Sequence, residues 1–212
     1  MYQRYFKRLL DFVLSLAACI VLAPVMLAIA VWIKMDSPGP VFFRQRRVGA
    51  HKTHFNILKF RTMRGDTPHD VPTHLLKNAD SYITKSGAFL RKTSLDELPQ
   101  LFNVLKGEMS LIGPRPLVPN EKDIHELRRQ TGAYRVRPGI TGWAQVNGRD
   151  CILPPDKARL DGYYADQMSL WLDLKIIVYS VICVLTARGV REGALPYDED
   201  VDDEKRKAKP NA

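Results

Sequence analysis

A long apolar segment near the N-terminus is the strongest feature of the hydrophobic pattern. It runs from Leu9 to Ile33, and within it only Asp11, Ser15 and Pro24 interrupt the apolar character. About 20 such residues are enough to cross the hydrocarbon core of a bilayer, so we expect this segment to lie in lipid. Basic residues flank it on both sides, and the positive-inside rule therefore gives no direction of crossing.

Three topologies fit this apolar segment. Pro24 removes a backbone donor near its middle and forces a kink, which favours a re-entrant helix hairpin that returns to the face it entered. A simple transmembrane span is the main alternative. A cleaved signal peptide is the third, because Ala28-Ile29-Ala30 has small-x-small spacing, although the apolar run exceeds the usual length of about 7–15 residues. We expect residues 1–36 to form a re-entrant membrane anchor.

The alternation of apolar and polar residues after this anchor predicts a small β-hairpin. Residues 41–47 and 55–62 have the pattern of two strands, joined across Gly49-Ala50-His51-Lys52. In the second strand Lys59 and Arg61 fall on the same face, so their side chains are expected to project together.

Helical periodicity follows from residue 95 to residue 105, and a glycine then supplies a stop. The start of this helix has two alternatives. Ser94 and Glu97 have the spacing of a capping box, whereas Pro99 fits the first helical position. Under either alternative Asp96 and Glu97 lie at a helix N-terminus.

Further helices are predicted at residues 120–130, from residue 154, and at residues 170–187. The last is rich in Leu, Ile, Val and Trp but contains Asp173 and Lys175, which favours the membrane interface over a buried core. The expected fold is α+β and mainly helical, with a re-entrant anchor, a β-hairpin and interfacial amphipathic helices. One domain would occupy residues 37–192, followed by a disordered tail at residues 193–212.

Composition and charge narrow the function classes. The chain has 212 residues, with 32 Lys and Arg against 23 Asp and Glu, which gives a formal net charge of +9. This length favours a single domain, and the charge indicates phospholipid, a phosphorylated substrate or nucleic acid as partner. The three cysteines are odd in number and widely spaced. They indicate neither a disulfide framework nor a thiolate metal site, and they favour a reducing compartment.

The adjacent carboxylates Asp96 and Glu97 are the first candidates for chemistry. Neighbours on a helix point about 100° apart, so the two side chains would have separate tasks. A helix N-terminus stabilises an ionised carboxylate and attracts phosphate. Gln100 and Asn103 would continue a polar stripe from Asp96. On these grounds alone, helix capping is the commoner role for such a pair.

Basic residues beside proline and glycine favour a phosphate-binding role for this region. Arginine offers a planar fork that matches phosphate, and Pro-Gly neighbours are typical of site loops. Together they indicate a diphosphate site, while neither a Walker nor a dinucleotide glycine pattern occurs. The candidate cations are Lys59, Arg61, Arg91, Arg115, Arg137 and Arg149.

Several long motifs stand in a fixed order along the chain. They are Lys59-Phe60-Arg61-Thr62-Met63, Ser94-Leu95-Asp96-Glu97-Leu98-Pro99-Gln100, Gly113-Pro114-Arg115-Pro116 and Arg137-Pro138-Gly139-Ile140-Thr141-Gly142, with Gln145-Val146-Asn147-Gly148-Arg149 after them. These motifs resemble those of the bacterial sugar transferase family, whose members are monotopic phosphoglycosyl transferases. The resemblance covers the chain from Tyr5 to about Gly189.

This resemblance implies transfer of a sugar phosphate from a nucleotide diphosphate sugar, usually a UDP-sugar, to undecaprenyl phosphate, with release of UMP. Asp96 would be the nucleophile that forms a covalent phosphosugar intermediate. Glu97 would orient or bind Mg²⁺, for which both carboxylates are the expected ligands.

The resemblance also implies roles for other residues. Lys59, Arg91 and Arg115 would contact phosphate, Arg137 and Arg149 would assist them, and Asp161 would support the basic cluster or bind metal.

The implied location is the cytoplasmic face of a bacterial inner membrane, in contact with anionic phospholipid. A homodimer and downstream glycosyltransferases are the expected protein partners. Two other functions are weighed against this one. A membrane-attached nucleic-acid-binding protein would explain the charge, but the sequence has no nucleic-acid recognition motif. A catalytically idle scaffold that recruits glycosyltransferases fits poorly with an intact acidic pair.

Overall fold

A computed structural model of the chain describes residues 2–65, 67, 79–148 and 152–186. Its first long element is a continuous helix of 30 residues, α1 (Lys7–Asp36), which follows a π-helical turn at Tyr2–Phe6 and contains Pro24. Within the described part of the chain, α1 alone is long and apolar enough to cross a membrane. The predicted apolar helix is thus confirmed, whereas the two arms of the predicted hairpin belong to a single continuous helix.

The N-terminal end of α1 packs on the rest of the protein. The Arg8 guanidinium donates hydrogen bonds to the carbonyl oxygens of Val104 (2.6 Å) and Leu105 (2.9 Å). One turn further, the Asp11 carboxylate accepts a hydrogen bond from the Leu111 backbone N–H at 3.2 Å. These contacts fix the first turns of the apolar helix to a distant part of the sequence.

A buried polar network around Asp173 strengthens this attachment. Lys7 donates to the Asp173 carboxylate at 2.9 Å, and the hydroxyls of Tyr2 and Tyr164 donate to it at 2.5 and 2.7 Å. Asp173 was expected to lie at a membrane interface, but its side chain is buried. Three donors compensate the cost of burying this carboxylate.

The C-terminal end of α1 packs on the same folded unit. The Asp36 carboxylate accepts hydrogen bonds from the backbone N–H and the hydroxyl of Ser86, at 2.8 and 2.7 Å. Between the two ends, residues 20–28 are mostly exposed. The apolar cluster at this end contains Ile29, Ile33, Phe60 and Leu90, with Leu95 and Leu98 packed against it.

The predicted hairpin is confirmed as strands β1 (Phe42–Val48) and β2 (His54–Phe60), which pair antiparallel. A 3₁₀ turn at Ala50–Lys52 joins them. The second strand ends at Phe60, two residues earlier than predicted. It therefore places Lys59 in the strand and Arg61 beyond it.

A second, parallel pair of short strands was not predicted. It consists of β3 (Ser110–Ile112) and β4 (Gly139–Thr141). The two backbones approach so closely that a Cβ atom at Gly139 would lie 2.1 Å from the backbone nitrogen of Gly113. The glycines in these motifs are therefore needed for strand packing.

Helices make up most of the remaining described residues, which confirms a mainly helical fold with small sheets. The helices are α2 (Lys85–Thr93), α3 (Gln100–Lys106), α4 (Lys122–Gln130), α5 (Trp143–Val146), α6 (Pro154–Gln167) and α7 (Leu170–Thr186). The helices that match predictions are α3, α4, α6 and α7, whereas α2 and the short α5 were missed. In α7 the hydroxyl of Ser169 accepts a hydrogen bond from the Leu172 N–H at 3.3 Å and caps the first turn. The expected tail at residues 193–212 lies outside the described residues.

Candidate functional site

The Asp96-Glu97 pair lies in a 3₁₀ turn, Leu95–Glu97, between α2 and α3. Ser94 ends α2 in the left-handed conformation, with φ of 58°, and Pro99 precedes the first residue of α3. The alternative that begins the helix at Pro99 is therefore right. The capping box is wrong, because the Glu97 N–H bonds the backbone carbonyl of Ser94 at 3.3 Å. The flanking leucines of this turn pack against the apolar cluster that includes α1.

Two cations converge on Glu97. Lys59 Nζ lies 2.8 Å from Glu97 Oε1, and Arg115 Nη2 lies 3.0 Å from the same oxygen. Lys59 also lies 3.7 Å from Asp96 Oδ2. The strand β2, the turn with the acidic pair and the loop after β3 thus meet at one point.

The two carboxylates differ in their electrostatic environment. Burial raises the pKa of Asp96, and Lys59 opposes this rise while the negative charge of Glu97 adds to it. Burial would also raise the pKa of Glu97, but Arg115 and Lys59 outweigh it and hold that pKa well below its ordinary value. Glu97 is therefore firmly ionised, whereas Asp96 carries a less stabilised negative charge. The two carboxylates therefore differ in how strongly their charged forms are stabilised.

Arg91 joins the edge of this cluster. Its Nε donates to the Thr62 hydroxyl at 3.0 Å, and its positive charge acts on Asp96. The Thr62 carbonyl accepts a hydrogen bond from the Thr84 N–H at 3.1 Å, which ties the end of β2 to the start of α2. Of the predicted phosphate-binding cations, the structure brings Lys59, Arg91 and Arg115 together.

Arg61 does not join them. Its guanidinium is buried and donates to the carbonyl oxygens of Ser37 and Pro38, each at 2.7 Å, and to the Ser37 hydroxyl at 2.8 Å. The prediction that Lys59 and Arg61 project together fails because the strand ends between them. Arg61 instead fixes the turn that follows α1.

Arg137 also lies apart from the acidic pair in its described contacts. Its Nε donates to the Gly107 carbonyl at 2.9 Å, beyond the far end of α3. Arg149 lies outside the described residues. Phosphate contacts by these two arginines stay predictions.

The two residues of the predicted polar stripe on α3, Gln100 and Asn103, have different surroundings. Gln100 is buried one turn after the acidic pair. The Asn103 side chain accepts from the Leu58 N–H at 2.9 Å and donates to the Asn56 carbonyl at 2.8 Å. Asn103 therefore attaches α3 to strand β2 and in this way supports the position of the Asp96-Glu97 pair at the start of α3.

Asp161 pairs with a residue that the sequence reasoning missed. Its carboxylate lies 2.5 Å from Arg128, and both side chains are almost wholly buried. Nearby, burial and the positive charges of Arg128 and Arg115 lower the pKa of Lys157. The available signal for Arg128 was its position four residues after Ile124, on the face of α4 that is buried.

The donor set at the acidic pair fits a magnesium ion that is shared with substrate phosphates. No group of three or more His, Cys, Asp or Glu ligands occurs among the described residues. Mg²⁺ is commonly bound through one or two carboxylates together with substrate phosphates. Lys59 and Arg115 occupy Glu97 Oε1, so Asp96 is the carboxylate whose charge is less compensated.

Comparisons with known proteins agree on one family. The sequence profile described as bacterial sugar transferase matches residues 2–187. A UDP-glucose:undecaprenyl-phosphate glucose-1-phosphate transferase of Xanthomonas campestris pv. campestris is 46% identical over 186 residues, which cover 84% of this chain and 38% of that protein.

Two other relatives differ in length and in name. An uncharacterized sugar transferase of Bacillus subtilis (strain 168) is 42% identical over 187 residues, covering 88% of this chain and 90% of the relative. A UDP-N-acetylgalactosamine-undecaprenyl-phosphate N-acetylgalactosaminephosphotransferase of Aeromonas hydrophila is 42% identical over 193 residues, covering 88% of this chain and 45% of the relative. The chain thus spans less than half of the Xanthomonas and Aeromonas proteins.

Proposed function

The chain belongs to the bacterial sugar transferase family, and we propose that it transfers a sugar 1-phosphate from a UDP-sugar to undecaprenyl phosphate, with release of UMP. The observation that carries this proposal is the buried, electrostatically unequal acidic pair within reach of Lys59, Arg91 and Arg115. The names of the Xanthomonas and Aeromonas relatives describe reactions of this class.

In the proposed first step, a carboxylate oxygen of Asp96 attacks the phosphorus that bears the sugar. The bond from that phosphorus to the bridging oxygen of UMP breaks, and UMP leaves with the electron pair. The product is a covalent aspartyl phosphosugar. A carboxylate that is only weakly stabilised by its surroundings is the better nucleophile of the two, which supports Asp96 over Glu97 in this role.

In the second step, a phosphate oxygen of undecaprenyl phosphate attacks the same phosphorus. The bond to Asp96 breaks, and the carboxylate is restored. The product carries the sugar on a diphosphate linked to the polyprenyl chain. Each step exchanges one phosphorus–oxygen bond for another, so no oxidant or other co-reactant is required.

The cations supply the charge that this chemistry needs. A diphosphate repels an incoming carboxylate, and Lys59, Arg91 and Arg115 would offset that repulsion. Glu97 would hold two of these cations through one oxygen atom. Asp96 and Glu97 would hold a magnesium ion, which when bound supplies Lewis-acid charge neutralisation at the phosphates.

The contacts of α1 support a re-entrant topology for the anchor. A helix of 30 residues is about 45 Å long, more than the thickness of a bilayer core of about 30 Å. Yet Arg8 near one end and Asp36 at the other both bond to the same folded unit. We infer that both ends of α1 lie on one face of the membrane, with Pro24 and the exposed middle of the helix in lipid.

Helix α7 would lie in the interface beside this anchor. One face of α7 is buried. Away from that face the side chains are exposed, with Trp171 at 78% and Leu174, Ile177 and Val178 exposed to a lesser extent. The proposed location is the cytoplasmic face of the inner membrane. A homodimer and contacts with later glycosyltransferases stay predictions.

The deciding experiment replaces the nucleophile. The Asp96→Asn variant in lipid nanodiscs, supplied with a UDP-sugar, Mg²⁺ and undecaprenyl phosphate, is expected to release no UMP and to capture no radiolabelled phosphosugar. Asp156→Asn is a matched control, because Asp156 lies in the first turn of α6 with an exposed partner, Arg159. Full turnover by Asp96→Asn would overturn the assignment. A panel that includes UDP-glucose and UDP-N-acetylgalactosamine would identify the sugar.

A further inference from the structure

The loop that carries Arg115 is held through its backbone carbonyl groups. It connects β3 to α4, and four consecutive carbonyl oxygens in it accept hydrogen bonds from four different donors. The bonds are Arg128 Nη1 to Arg115 O at 2.8 Å, Arg47 Nη1 to Pro116 O at 3.1 Å, the Val48 N–H to Leu117 O at 3.0 Å, and His125 Nε2 to Val118 O at 2.8 Å. The donors come from strand β1 and helix α4, on either side of the loop.

The hydrogen bond to the Arg115 carbonyl comes from Arg128, which forms a buried ion pair with Asp161. The Arg128 and Asp161 side chains are each 2% exposed, and Arg128 Nη2 lies 2.5 Å from Asp161 Oδ2. The other arm of the same guanidinium donates to the Arg115 carbonyl. The planar fork of arginine allows one side chain to make both contacts in fixed directions.

A second support reaches the far end of the loop. The Tyr134 hydroxyl contacts His125 Nδ1, and His125 Nε2 lies 2.8 Å from the Val118 carbonyl oxygen. Because a carbonyl oxygen only accepts, Nε2 is the donor in that bond, which leaves Nδ1 to accept the Tyr134 proton. The positive charge of Arg128 acts on the Tyr134 hydroxyl, which links the two supports electrostatically.

A buried ion pair is a costly way to stabilise a fold, because desolvation of the two charges offsets their attraction. The proposed reaction gives neither Arg128 nor Asp161 a chemical step. The hydrogen bond from Arg128 to the Arg115 carbonyl, with Asp161 as the counter-ion of Arg128, accounts for the pair. The Arg115 side chain is 37% exposed, so its direction depends on a fixed backbone.

We propose that the Arg128–Asp161 pair, with Tyr134 and His125, positions Arg115 so that its guanidinium meets Glu97 and the substrate diphosphate. These four are positioning residues, and the inference rests on the proposed function for the identity of the anion. It predicts that displacement of the loop lowers transfer without changing the acidic pair.

The test replaces the ion pair with apolar side chains of similar volume, Arg128→Met with Asp161→Leu. Such replacements of buried ion pairs commonly retain the fold. The kcat/KM for the UDP-sugar is expected to fall by roughly 10-fold to 100-fold, as for a misplaced catalytic group. In an Arg115→Ala background the same replacement should cause no further loss, because it acts through Arg115. Losses that multiply in that background would overturn the proposal.

A matched control is the exposed ion pair of Arg135 and Asp166, which joins the turn before β4 to helix α6. Arg135→Met with Asp166→Leu should leave transfer unchanged. Tyr134→Phe is the second test variant if the buried replacement does not fold. It should lower kcat/KM in the same direction, and again only when Arg115 is present. Wild-type kcat/KM in Tyr134→Phe, or in a folded Arg128→Met, Asp161→Leu protein, would overturn the proposal.

Amide hydrogen exchange separates this inference from the proposed function. Exchange within residues 113–121 should rise in the Arg128→Met, Asp161→Leu protein and not in the exposed-pair control. If exchange rises but the wild-type protein releases UMP from no UDP-sugar, the proposed function fails and the positioning role stands. If the wild type is active and exchange in the loop does not change, the positioning role fails alone.

Discussion

Lys59 and Glu97, which are 38 positions apart in the sequence, are joined by a hydrogen bond of 2.8 Å between Nζ and Oε1. This bond fixes the end of strand β2 to the acidic pair, and the same ammonium group lies 3.7 Å from Asp96. Lys59→Met should therefore lower kcat/KM for UMP release by at least about 100-fold, because a preorganised charge is lost. Lys52→Met, in the exposed hairpin connection, is the control. A Lys59→Met enzyme within tenfold of the wild type would contradict this role.

The pH dependence of transfer should report Asp96. The proposed mechanism requires an ionised Asp96. Burial raises the pKa of this carboxyl, so activity is expected to fall with decreasing pH while the solution is still above the ordinary carboxyl pKa of about 3.9. Lys59 opposes that rise, so Lys59→Met should move the acid limb of the kcat/KM profile to still higher pH. An acid limb at or below the ordinary value, in protein shown to be folded at that pH, would be inconsistent with Asp96 as the nucleophile.

Removal of the Arg8 guanidinium should destabilise the protein. Arg8→Met leaves the Val104 and Leu105 carbonyls at the end of α3 without these donors, at an expected cost of about 1–3 kcal/mol in the free energy of unfolding. Thermal unfolding in matched nanodiscs measures it. Arg137→Met, which removes a single exposed donor at Gly107, should stay within about 0.5 kcal/mol. Equal losses in the free energy of unfolding would show that the Arg8 hydrogen bonds contribute no more to stability than the Arg137 hydrogen bond does.

The topology of α1 can be read from the two ends of the helix. Tyr5 and Met35 are 67% and 81% exposed, so a cysteine placed at either position, in a background without other cysteines, is open to a membrane-impermeant maleimide. Both should be labelled in inverted vesicles and neither in intact spheroplasts. Labelling of the two positions from opposite faces would establish a membrane span and end the re-entrant proposal.

Replacement of Asn103 should separate the acidic pair from strand β2. Asn103→Leu leaves the Leu58 N–H and the Asn56 carbonyl without this side-chain partner. The expected loss is roughly 1–3 kcal/mol in the free energy of unfolding, because both groups are partly buried and would be left without this partner. Thermal unfolding checks it, with Asn147→Leu as the control, because that exposed side chain donates to the Trp143 carbonyl in its own turn.

The elements that could be predicted from sequence are those with a local periodic signal. The β1–β2 hairpin and helices α3, α4, α6 and α7 each have apolar spacing or capping residues that act over a few positions. Strands β3 and β4 are three residues each and pair through glycine contacts between distant segments, so no alternation marks them. Their motifs drew attention as a phosphate-binding pattern, while part of their glycine content serves backbone packing.

The candidate site was predicted in part for the same reason. Asp96, Glu97, Lys59 and Arg115 fall in motifs, and the structure brings them together. Arg61 was predicted to share a face of the strand with Lys59. Strand pairing ends one residue before Arg61, and beyond the strand the side chains no longer alternate between two faces. Arg128 was missed because arginine is seldom buried, and only the tertiary fold shows that Asp161 and the Arg115 carbonyl surround it.

The attachment of α1 at both of its ends has a consequence for biogenesis. Ile29 and Ile33 belong to the cluster that supports the turn with the acidic pair, and Arg8 closes the far end of the following helix. The turn with the acidic pair therefore gains its full set of supports only after α1 has packed at both ends. Under the proposed function, a newly made chain becomes able to transfer a sugar phosphate only once its apolar helix is in place, which couples the onset of activity to docking of the anchor.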